Sequence, residues 1–321
     1  MSSNPLPVRS PLDLLRLDFP GYQITMRAIC GKLFYLAEAD RPHIQPRFAQ
    51  AGTTERLRAR LHAPIRPFIP ATEPSIPRVW DYLLGGKDNF AADRQQAASL
   101  LKVFPRAAEL ARESRQFQRR AVAYVARAGI RQFIDLGCGL PTTPSTHQTA
   151  RDVHATVAYV DNDEQVLTHA QNILATTGGV LSVAGDLQYP DEILYDGRLR
   201  QAVDFHQPMC LVITMTLHFY DAGTARRIAA QFIADIPPGS YVVLSVGQLE
   251  GEAGEDFTTE YRPGRLHHHS EDDVTSFLHG LELAGPGITE ARRWRAPVVS
   301  LEGGRPGHIW VGVGRKAETA P

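Results

Sequence analysis

Apolar residues recur along the chain with two different periods, and the change of period predicts where strands and helices lie. After residue 130, short runs of apolar and β-branched residues alternate with longer segments that have helical spacing. The predicted strands are residues 132–136, 156–160, 180–184, 209–215, 241–246, 293–300 and 308–313. The predicted helices among them are residues 146–153, 164–176, 191–201, 223–236 and 271–284.

Strands that alternate with helices are typical of a parallel sheet, because a crossover helix returns the chain to the same end of the sheet. The last two predicted strands, 293–300 and 308–313, are joined by a segment rich in glycine that has no room for a helix. We therefore expect them to pair antiparallel at one end of the sheet. The predicted fold is α/β, with a doubly wound, mostly parallel sheet of seven strands in a Rossmann-like arrangement.

The first seventy residues follow a different pattern, which predicts a small α+β appendage. Four leucines between residues 12 and 17 suit a short helix, and the strand-like runs 22–29 and 32–37 suit a β-hairpin. Prolines then recur from Pro64 to Pro77, as in a linker, because proline cannot donate a hydrogen bond to a sheet or helix. The expected boundaries are 1–70 for the appendage, 71–321 for the main domain and about 74–128 for a helical cap that begins the main domain.

Charge and composition narrow the class of partner. The 321 residues carry a formal net charge of -1, which argues against binding nucleic acid by neutralising phosphates. No apolar run reaches the roughly 18 residues of a membrane span, and Met1–Ser10 lacks the apolar core of a signal peptide. Cys30, Cys138 and Cys210 are spaced too widely for a disulfide framework or a zinc site. We expect a cytoplasmic protein with a small-molecule partner, and the sequence leaves its oligomeric state open.

A pair of glycines follows the first strand of the main domain, in the sequence Asp135-Leu136-Gly137-Cys138-Gly139. In a doubly wound sheet, ligands bind outside the carboxyl ends of the strands. Gly137 and Gly139 allow the backbone to approach a ligand that a Cβ atom would repel. A glycine pair alone is a weak indication, so the prediction that Asp135, Gly137 and Gly139 bind a cofactor depends on the residues at the ends of the next two strands.

Two further acids end those strands. Asp161 follows the second strand, where an acid accepts hydrogen bonds from ribose hydroxyls, and Asp186 follows the third, where an acid can accept from the exocyclic amine of adenine. Each aspartate by itself also suits an ordinary turn or helix cap. Three successive strand ends of this kind favour an adenosine site, and we add the neighbours Asn162 and Leu187 to the predicted cofactor-binding residues.

The residue at the sixth position of the glycine motif distinguishes between adenosine cofactors. A dinucleotide fingerprint has a third glycine there, where the helix approaches the pyrophosphate. In this chain the position is occupied by Thr142, after Leu140-Pro141. A cofactor without a pyrophosphate, such as S-adenosylmethionine, therefore fits better than NAD. An NAD-dependent oxidoreductase on a similar sheet is the alternative.

One stretch resembles the signature of an actinobacterial S-adenosylmethionine-dependent methyltransferase family: Arg78-Val79-Trp80-Asp81-Tyr82-Leu83-Leu84-Gly85-Gly86-Lys87-Asp88-Asn89-Phe90. Shorter matches are residues 119–122, 139–142, 159–163, 217–219 and 238–241, so the resemblance covers about residues 74–314. The family usually has Gly-Thr-Gly where this chain has Gly137-Cys138-Gly139. The resemblance implies a class I methyltransferase fold and S-adenosylmethionine as the cofactor, but it implies no particular acceptor.

The resembling stretch adds Arg78, Tyr82 and Gly86 to the predicted cofactor-binding residues. Gly85-Gly86 breaks the preceding helix and leaves backbone amides free beside several polar residues. The stretch therefore suits a loop that closes over the methionine carboxylate of the cofactor and the entrance for the acceptor. A capped helix followed by a solvated turn is the alternative.

Methyl transfer requires alignment and the exclusion of water, and it requires a general base only where the acceptor must lose a proton. His218 follows the apolar run 211–217, near the carboxyl end of the fourth strand, and with Tyr82 it is our candidate catalytic residue. A hydrogen-bonded structural histidine is the alternative. Because no complete acid–base set is evident, a non-catalytic regulator that binds S-adenosylmethionine is a further alternative. The expected acceptor is a small molecule, of the kind made in specialised metabolism.

Two other polar clusters are left outside the predicted site. The three histidines at 267–269 alternate faces if the chain is extended, so at most two converge, and we predict no metal. The acidic residues between 250 and 256 lie in a glycine-containing loop that suits a lid over the substrate or, equally, a solvated loop. Cys138 is assigned no role.

Overall fold

The chain divides into two compact units in the computed structural model, Met1–Pro67 and Phe68–Pro321. The residues described are 10, 12, 15–16, 22–29, 32–39, 48–51, 53, 56–57, 69–174, 177–249, 251–297 and 307–318. Each unit has a hydrophobic core of its own.

The first unit contains a three-stranded antiparallel sheet. Strand β1 (Tyr22–Ile29) pairs with β2 (Lys32–Ala39), which confirms the predicted hairpin, and β3 (Phe48–Ala51) adds a strand that the sequence did not predict. Its core contains residues spread along the unit: Leu15, Ile24, Ala37 and Leu57. Leu12 and Leu15 are helical, as predicted, whereas Leu14 and Leu17 of the same predicted helix and the Cys30-Gly31 turn lie outside the described residues.

The second unit is built on a mostly parallel sheet, which confirms the predicted fold class. Its strands are β4 (Gln132–Leu136), β5 (Thr156–Asp161), β6 (Val180–Ala184), β7 (Cys210–Thr214), β8 (Tyr241–Gln248), β9 (Leu281–Leu283), β10 (Thr289–Glu290) and β11 (His308–Lys316). The order across the sheet is β10-β11-β8-β7-β4-β5-β6, and β9 also pairs with β11. Strands β4 to β8 are mutually parallel, and β11 runs antiparallel to β8.

The antiparallel end of the sheet differs from the prediction. Residues 291–295 form turns instead of a strand, and 298–300 lie outside the described residues. Trp294 is fully buried and meets Phe117 and Tyr124 edge to face, with ring centroids 5.4 and 5.7 Å apart. Trp294, one of the apolar residues on which the strand prediction at 293–300 rested, thus packs against the helix that carries these two rings and not in the sheet. The short strands β9 and β10 pair with β11 in its place, and the helix predicted to reach residue 284 ends at residue 277.

The helices of the second unit cover both faces of the sheet, as a parallel sheet requires. They are α1 (Ile76–Leu83), α2 (Ala91–Val103), α3 (Ala107–Arg127), α4 (Thr146–Thr149), α5 (Glu164–Leu174), α6 (Pro190–Leu194), α7 (Gly197–Ala202), α8 (Ala222–Asp235), α9 (Gly251–Glu260) and α10 (Glu271–Phe277). Single 3₁₀ turns occur at Arg151–Val153 and Leu217–Phe219. No helix in the described part of the chain combines the length and the apolar character that a membrane crossing requires.

Two polar residues cap the helices that follow them. Asp163 precedes α5 and accepts from the Gln165 amide at 2.9 Å, and Ser270 precedes α10 in a capping box with Asp273.

Helix α9 replaces the loop that we predicted between residues 250 and 256. The Gln96 side chain of α2 donates to the Glu260 carbonyl at the end of α9 (2.8 Å). The acidic residues 255 and 256 are therefore exposed positions on a docked helix.

Helix α3 packs on the sheet, where it contacts β7, β8 and β11. Phe117, Ala121 and Val125 follow a four-residue spacing and are fully buried. They belong to the same core as Phe133 of β4. The next turn of α3 toward its start carries polar side chains, and these reach the carboxyl ends of the strands.

Candidate functional site

The ends of strands β4, β5 and β6 lie side by side at one edge of the sheet. These strands are adjacent and parallel, with Leu136 opposite Val160 and Val160 opposite Val183. Beyond the strands, the Gly137 amide donates to the Val160 carbonyl at 2.8 Å, and the Gly185 amide donates to the Asp161 carbonyl at 2.9 Å. Backbone hydrogen bonds therefore hold the three predicted strand ends together.

The two glycines after β4 differ in what surrounds them. Both have positive φ, +67° at Gly137 and +63° at Gly139, a conformation that favours glycine. A Cβ atom on Gly137 would lie 2.4 Å from Thr216 Cγ2, so this position is filled by the loop after β7. A Cβ atom on Gly139 would meet nothing within 4 Å. Gly139 is thus the position at which the backbone faces open space.

The Asp161 carboxylate fixes the glycine turn to the second strand. Its Oδ2 accepts from the Gly139 amide at 2.9 Å, and its Oδ1 accepts from the Asp163 amide at 3.0 Å. Burial raises the pKa of this carboxyl to about 6, against the opposing effect of these hydrogen bonds. The Cys138 thiol also lies 4.0 Å from Oδ2, so the second lone pair of Oδ1 is the one that can still accept from a ligand hydroxyl. Asn162 lies half-buried beside it.

Asp186 uses only one of its two carboxylate oxygens to stabilise the turn after β6. Its Oδ1 accepts from the Gln188 amide at 2.9 Å, while its Oδ2 has no hydrogen bond from the described residues. The side chain is half-buried, and the neighbouring Leu187 is buried. The turn interpretation and the ligand interpretation are therefore compatible at this residue, because different oxygens serve them.

Asp135 lines a narrow cleft beneath the glycine turn, on the side covered by α3. Its Oδ2 accepts from Thr146 Oγ1 at 2.6 Å and from Gln118 Nε2 at 3.2 Å. Burial raises the pKa of Asp135 to about 6, although the hydrogen bond from Thr146 and the charge of Arg115 oppose the shift. The cleft has a volume of about 30 Å³, and Gly139 and Tyr159 also line it.

Arg115 is a residue of this cleft that the sequence analysis missed. It lies one helical turn before Gln118 on α3 and donates from Nη1 to Gln118 Oε1 at 2.7 Å. Its Nε is buried and has no hydrogen-bond partner among the residues that the structure describes. Its spacing of three residues from Gln118 does not distinguish it in the sequence from the other arginines of α3.

Arg78 has no donor left for a cofactor. Its Nε donates to Asp93 Oδ2 at 2.8 Å, and both side chains are almost fully buried. The remaining four N–H groups are matched by four acceptors: Ile69 O, Gln165 Oε1, Pro70 O and Glu73 O. All five donors of the guanidinium thus have protein partners. The structure gives Arg78 a structural position, with α1 and α2 joined through its ion pair.

The segment after α1 folds around Asp81, a residue of the resembling stretch that was not among the predicted binding residues. Its buried carboxylate accepts from the Asp88 amide at 2.9 Å and from Asn89 Nδ2 at 2.8 Å. A Cβ atom on Gly86 would lie 1.9 Å from Asp81 Oδ1, so the glycine makes room for this carboxylate. Tyr82 is half-buried against the core, and Lys87 is exposed. These contacts favour the capped helix and turn that we gave as the alternative.

His218 is buried in the 3₁₀ turn that follows β7. Its backbone carbonyl accepts from the His267 amide at 2.8 Å, while its Nδ1 is buried and has no partner in the described part of the chain. Burial and, to a smaller extent, the nearby His269 and His268 lower the pKa of His218 to about 3. The ring is therefore neutral near pH 7 and is a weak base.

The three consecutive histidines 267–269 contact different neighbours. His268 Nε2 and Thr258 Oγ1 lie 2.9 Å apart, and His269 Nε2 lies 3.3 Å from the Leu217 carbonyl. Among the described residues, no group of three or more histidine, cysteine or acidic side chains is placed to hold a metal ion. The contacts of 267–269 thus support the turn that carries His218.

A row of aromatic rings extends from His218. The ring of Phe219 lies 4.4 Å from that of His218 and 6.4 Å from that of Tyr261, and Tyr261 stacks on Phe257 at 6.0 Å. Phe219, Tyr261 and Phe257 are all half-buried. The sequence analysis did not identify this row, because Phe219 is about forty residues from Phe257 and Tyr261 and meets them only in the folded chain.

Comparison with known proteins assigns a family to this arrangement. The model of a family described as S-adenosyl methyltransferase matches residues 63–317, which is most of the chain. The structure is similar to a candidate methyltransferase from Thermobifida fusca, with 32% identity over 77% of this chain and 96% of that chain and a TM-score of 0.72. It is also similar to a DUF574 family protein from Streptomyces avermitilis, with 32% identity over 76% of this chain and 98% of that chain and a TM-score of 0.71.

None of the curated proteins compared with this chain matches it. The family match covers the strand ends, the cleft and the segment after α1, and it supports S-adenosylmethionine over the alternative cofactor NAD. The chain belongs to the S-adenosyl methyltransferase family and is an S-adenosylmethionine-dependent methyltransferase.

Proposed function

We propose that this methyltransferase transfers a methyl group to a small-molecule acceptor and that it binds the adenosine of S-adenosylmethionine across the ends of β4, β5 and β6. The observation that carries the proposal is the juxtaposition of Gly139, Asp161 and Asp186 at one edge of the sheet. In open α/β sheets this edge is where ligands bind. A glycine that faces open space and two acids with unused lone pairs fit a nucleoside that offers hydroxyls and an amine.

Each proposed contact uses a polar group that still has room for a hydrogen bond from a ligand. Asp161 accepts from the ribose hydroxyls, with Asn162 beside it, and Asp186 Oδ2 accepts from the adenine amine. The buried Leu187 supplies an apolar neighbour for the base. Gly137 and Asp135 shape the turn and the cleft beneath it. We propose no direct contact with the cofactor for Arg78 or Gly86. Arg78 is paired with Asp93, and the space beside Gly86 is filled by the Asp81 carboxylate.

The proposed acceptor site lies on the side of the aromatic row. When bound, the cofactor supplies a methyl group on a sulfonium sulfur, so the protein has mainly to align the acceptor and exclude water. The half-buried rings of Phe219, Tyr261 and Phe257 offer an apolar wall for this purpose. With its pKa near 3, His218 is proposed to position the acceptor and not to remove its proton. Tyr82, half-buried at the end of α1, is proposed to face the same acceptor.

We also propose that residues 71–321 are the catalytic domain, that about 74–128 form its cap and that 1–70 are an appendage. The separate cores of the two units and the start of the family match at residue 63 support this division. The net charge of -1 supports a small molecule over nucleic acid as the acceptor. A cytoplasmic location and an actinobacterial origin complete the proposal, and the organisms of the two similar structures support the second.

Transfer of labelled methyl groups tests the proposed reaction. The full chain is incubated with methyl-tritiated S-adenosylmethionine and with metabolite extract, protein or RNA in separate reactions. We expect label in small molecules that separate from macromolecules, and none in protein or RNA. Label confined to a macromolecule would contradict the proposed class of acceptor, and cofactor binding without any transfer would favour the non-catalytic regulator.

The Asp161→Ala variant tests the proposed ribose contact. We expect the affinity for S-adenosylhomocysteine, measured by isothermal titration calorimetry, to fall by about 1–3 kcal/mol, the scale of a lost hydrogen bond that leaves a partner unpaired. The matched control is Asp152→Ala, because the Asp152 side chain is 90% exposed and lies in the 3₁₀ turn Arg151–Val153, outside the proposed site. Unchanged affinity in Asp161→Ala would remove this residue from the site.

The Asp135→Asn variant tests whether a buried carboxyl with a raised pKa lies under the turn. In the unfolded chain an aspartate titrates near about 3.9, whereas the folded pKa of Asp135 is about 6. The folded state therefore holds the proton more tightly, and the resulting stability is full below about pH 4 and is lost as the pH rises through about 6. Asparagine does not ionise, and its Oδ1 can still accept from Thr146 and Gln118.

We therefore expect the variant to gain stability over the wild type as the pH rises from 4 to 6, by about 2–3 kcal/mol at roughly 1.4 kcal/mol per unit of pKa shift. Above about pH 6.5 the difference stays constant. Urea denaturation of both proteins without cofactor at each pH measures it, with Asp152→Asn as the exposed control. A difference that does not change with pH would contradict the raised pKa.

A further inference from the structure

The aromatic row is joined to the candidate site through the loop after β7. Thr216 of this loop lies against the glycine turn, since a Cβ atom on Gly137 would come within 2.4 Å of Thr216 Cγ2. Thr216 Oγ1 also lies 3.3 Å from the Leu136 carbonyl oxygen at the end of β4. His218 and Phe219 follow in the adjoining 3₁₀ turn. The row therefore begins beside the strand ends at which we propose that the cofactor binds.

A strained residue lies in the same loop. Met215 directly follows β7 and has φ +54°, a conformation that is an outlier for a long side chain. Its amide nitrogen lies 2.9 Å from the carbonyl oxygen and 3.1 Å from the hydroxyl oxygen of Ser245 in the neighbouring strand β8. Residues held in such conformations concentrate at active sites and ligand-binding sites. The strain at Met215 thus indicates a functional role for the loop that carries Phe219.

Three rings of the row have nearly parallel planes. The planes of Phe219 and Tyr261 differ by 30°, and those of Tyr261 and Phe257 differ by 17°. Their centroids are 6.4 and 6.0 Å apart, within the range of offset aromatic pairs. Phe104 meets Phe257 edge to face at one end of the row. The faces of the three rings therefore point in broadly the same direction.

The faces of these rings are partly accessible, and one edge of the row lies near α1. Phe219, Tyr261 and Phe257 are each half-buried. A Cβ atom on Gly264 would lie 3.1 Å from Ile76 Cδ1 of α1 and 3.7 Å from Phe219 Cδ1. Gly264 thus lets the chain pass between α1 and the row. The row lies between the glycine turn and the helix that carries Tyr82, where we propose that the acceptor binds.

The arrangement of the rings distinguishes between kinds of acceptor. An ammonium group held by aromatic residues lies in a cage, with ring faces directed at it from several sides. Nearly parallel rings do not form such a cage, but they match the flat face of an aromatic molecule by offset stacking. An aliphatic acceptor gains the burial of its apolar surface without the stacking. The row therefore favours a flat aromatic acceptor.

We propose that the acceptor is a planar aromatic molecule that stacks on Phe219 and Tyr261 and presents a hydroxyl, amine or carboxylate on its ring system for methylation. This inference rests on the proposed function, because it takes the cofactor to lie across the ends of β4, β5 and β6. The acceptor heteroatom forms a bond to the methyl carbon while the carbon–sulfur bond breaks, and the electron pair of that bond stays on the sulfur. A proton on a hydroxyl or amine passes to solvent.

Pairs of ligands that differ only in aromaticity test the acceptor class. The pairs are naphthoate with decahydronaphthoate, and naphthylamine with decahydronaphthylamine. Ligand-observed NMR titrations measure their affinities for the full chain saturated with S-adenosylhomocysteine. We expect the aromatic member of at least one pair to bind about threefold to tenfold more tightly, the scale of one stacked aromatic pair. Equal affinities in both pairs, tighter binding of the saturated members, or binding of none of the four would overturn the inference.

Two variants test whether the row supplies the preference. Phe219→Leu keeps an apolar side chain but removes the ring, so we expect the aromatic ligand to bind about threefold to tenfold more weakly and the saturated ligand to change by less than about twofold. Tyr261→Leu is expected to act in the same way, and it serves if Phe219→Leu does not fold. An unchanged aromatic preference in the folded variants would overturn the role of the row.

Phe205→Leu is the matched control. Phe205 is a half-buried ring that precedes β7, at the end of the sheet opposite the proposed site. We expect this variant to keep the wild-type affinities for all four ligands. A loss of aromatic preference in Phe205→Leu equal to that in Phe219→Leu would contradict a specific contribution of the row.

The binding of S-adenosylhomocysteine separates this inference from the proposed function. If the wild type binds S-adenosylhomocysteine but does not prefer the aromatic ligands, the acceptor class is wrong and the adenosine site stands. If the wild type does not bind S-adenosylhomocysteine, the proposed site fails and the inference fails with it. The labelled products formed from metabolite extract give a second measurement. We expect them to absorb in the near ultraviolet as aromatic compounds do, and exclusively aliphatic products would overturn the inference.

Discussion

The hydrogen bond from the Gly139 amide to the Asp161 carboxylate is the interaction on which the site depends. It joins the turn after β4 to the end of β5, and the second oxygen of the same carboxylate holds the Asp163 amide at the start of α5. One buried side chain therefore fixes the turn, the neighbouring strand and a helix cap relative to each other. In this turn a Cβ atom on Gly139 would meet nothing within 4 Å, so the backbone that the bond holds faces open space.

This arrangement places two acids with raised pKa values under one loop. Burial raises the pKa of both Asp135 and Asp161 to about 6, so both carry a charge near neutral pH at a cost in stability. A bound ligand that donates hydrogen bonds to these carboxylates would offset part of that cost. The helical cap has the opposite character, because its buried charge is paired within the chain, between Arg78 and Asp93. The buried charges of the cap are thus matched within the chain, whereas Asp135 and Asp161 at the strand ends carry their raised pKa values next to the glycine turn.

Much of this fold follows from local patterns in the sequence. The strands at 132–136 and 180–184 have the predicted bounds, because a short apolar run between turn residues leaves little choice of ends. The strand predicted at 293–300 was wrong in its described part, since the burial of Trp294 against α3 gives the same apolar pattern as a strand. Helix α9 was missed for the converse reason, because its glycines and acids favour a loop and its docking on α2 is a tertiary contact.

The candidate site was predictable to the extent that topology determines it. Asp161 and Asp186 end adjacent parallel strands, so their proximity follows from strand order alone. Gly86 and Arg78 resemble a family signature, but their close neighbours, Asp81 and Asp93, are structural partners that the linear sequence does not reveal. Arg115 was missed because nothing in its spacing distinguishes a buried donor from the exposed arginines of the same helix.

A crystal structure of the full chain with S-adenosylhomocysteine tests the central claim most directly. Our account predicts the adenosine across the ends of β4, β5 and β6, with the ribose hydroxyls within hydrogen-bond distance of Asp161 and the adenine amine within that distance of Asp186. A ligand bound on another surface, or one whose ribose makes no contact with Asp161, would contradict it.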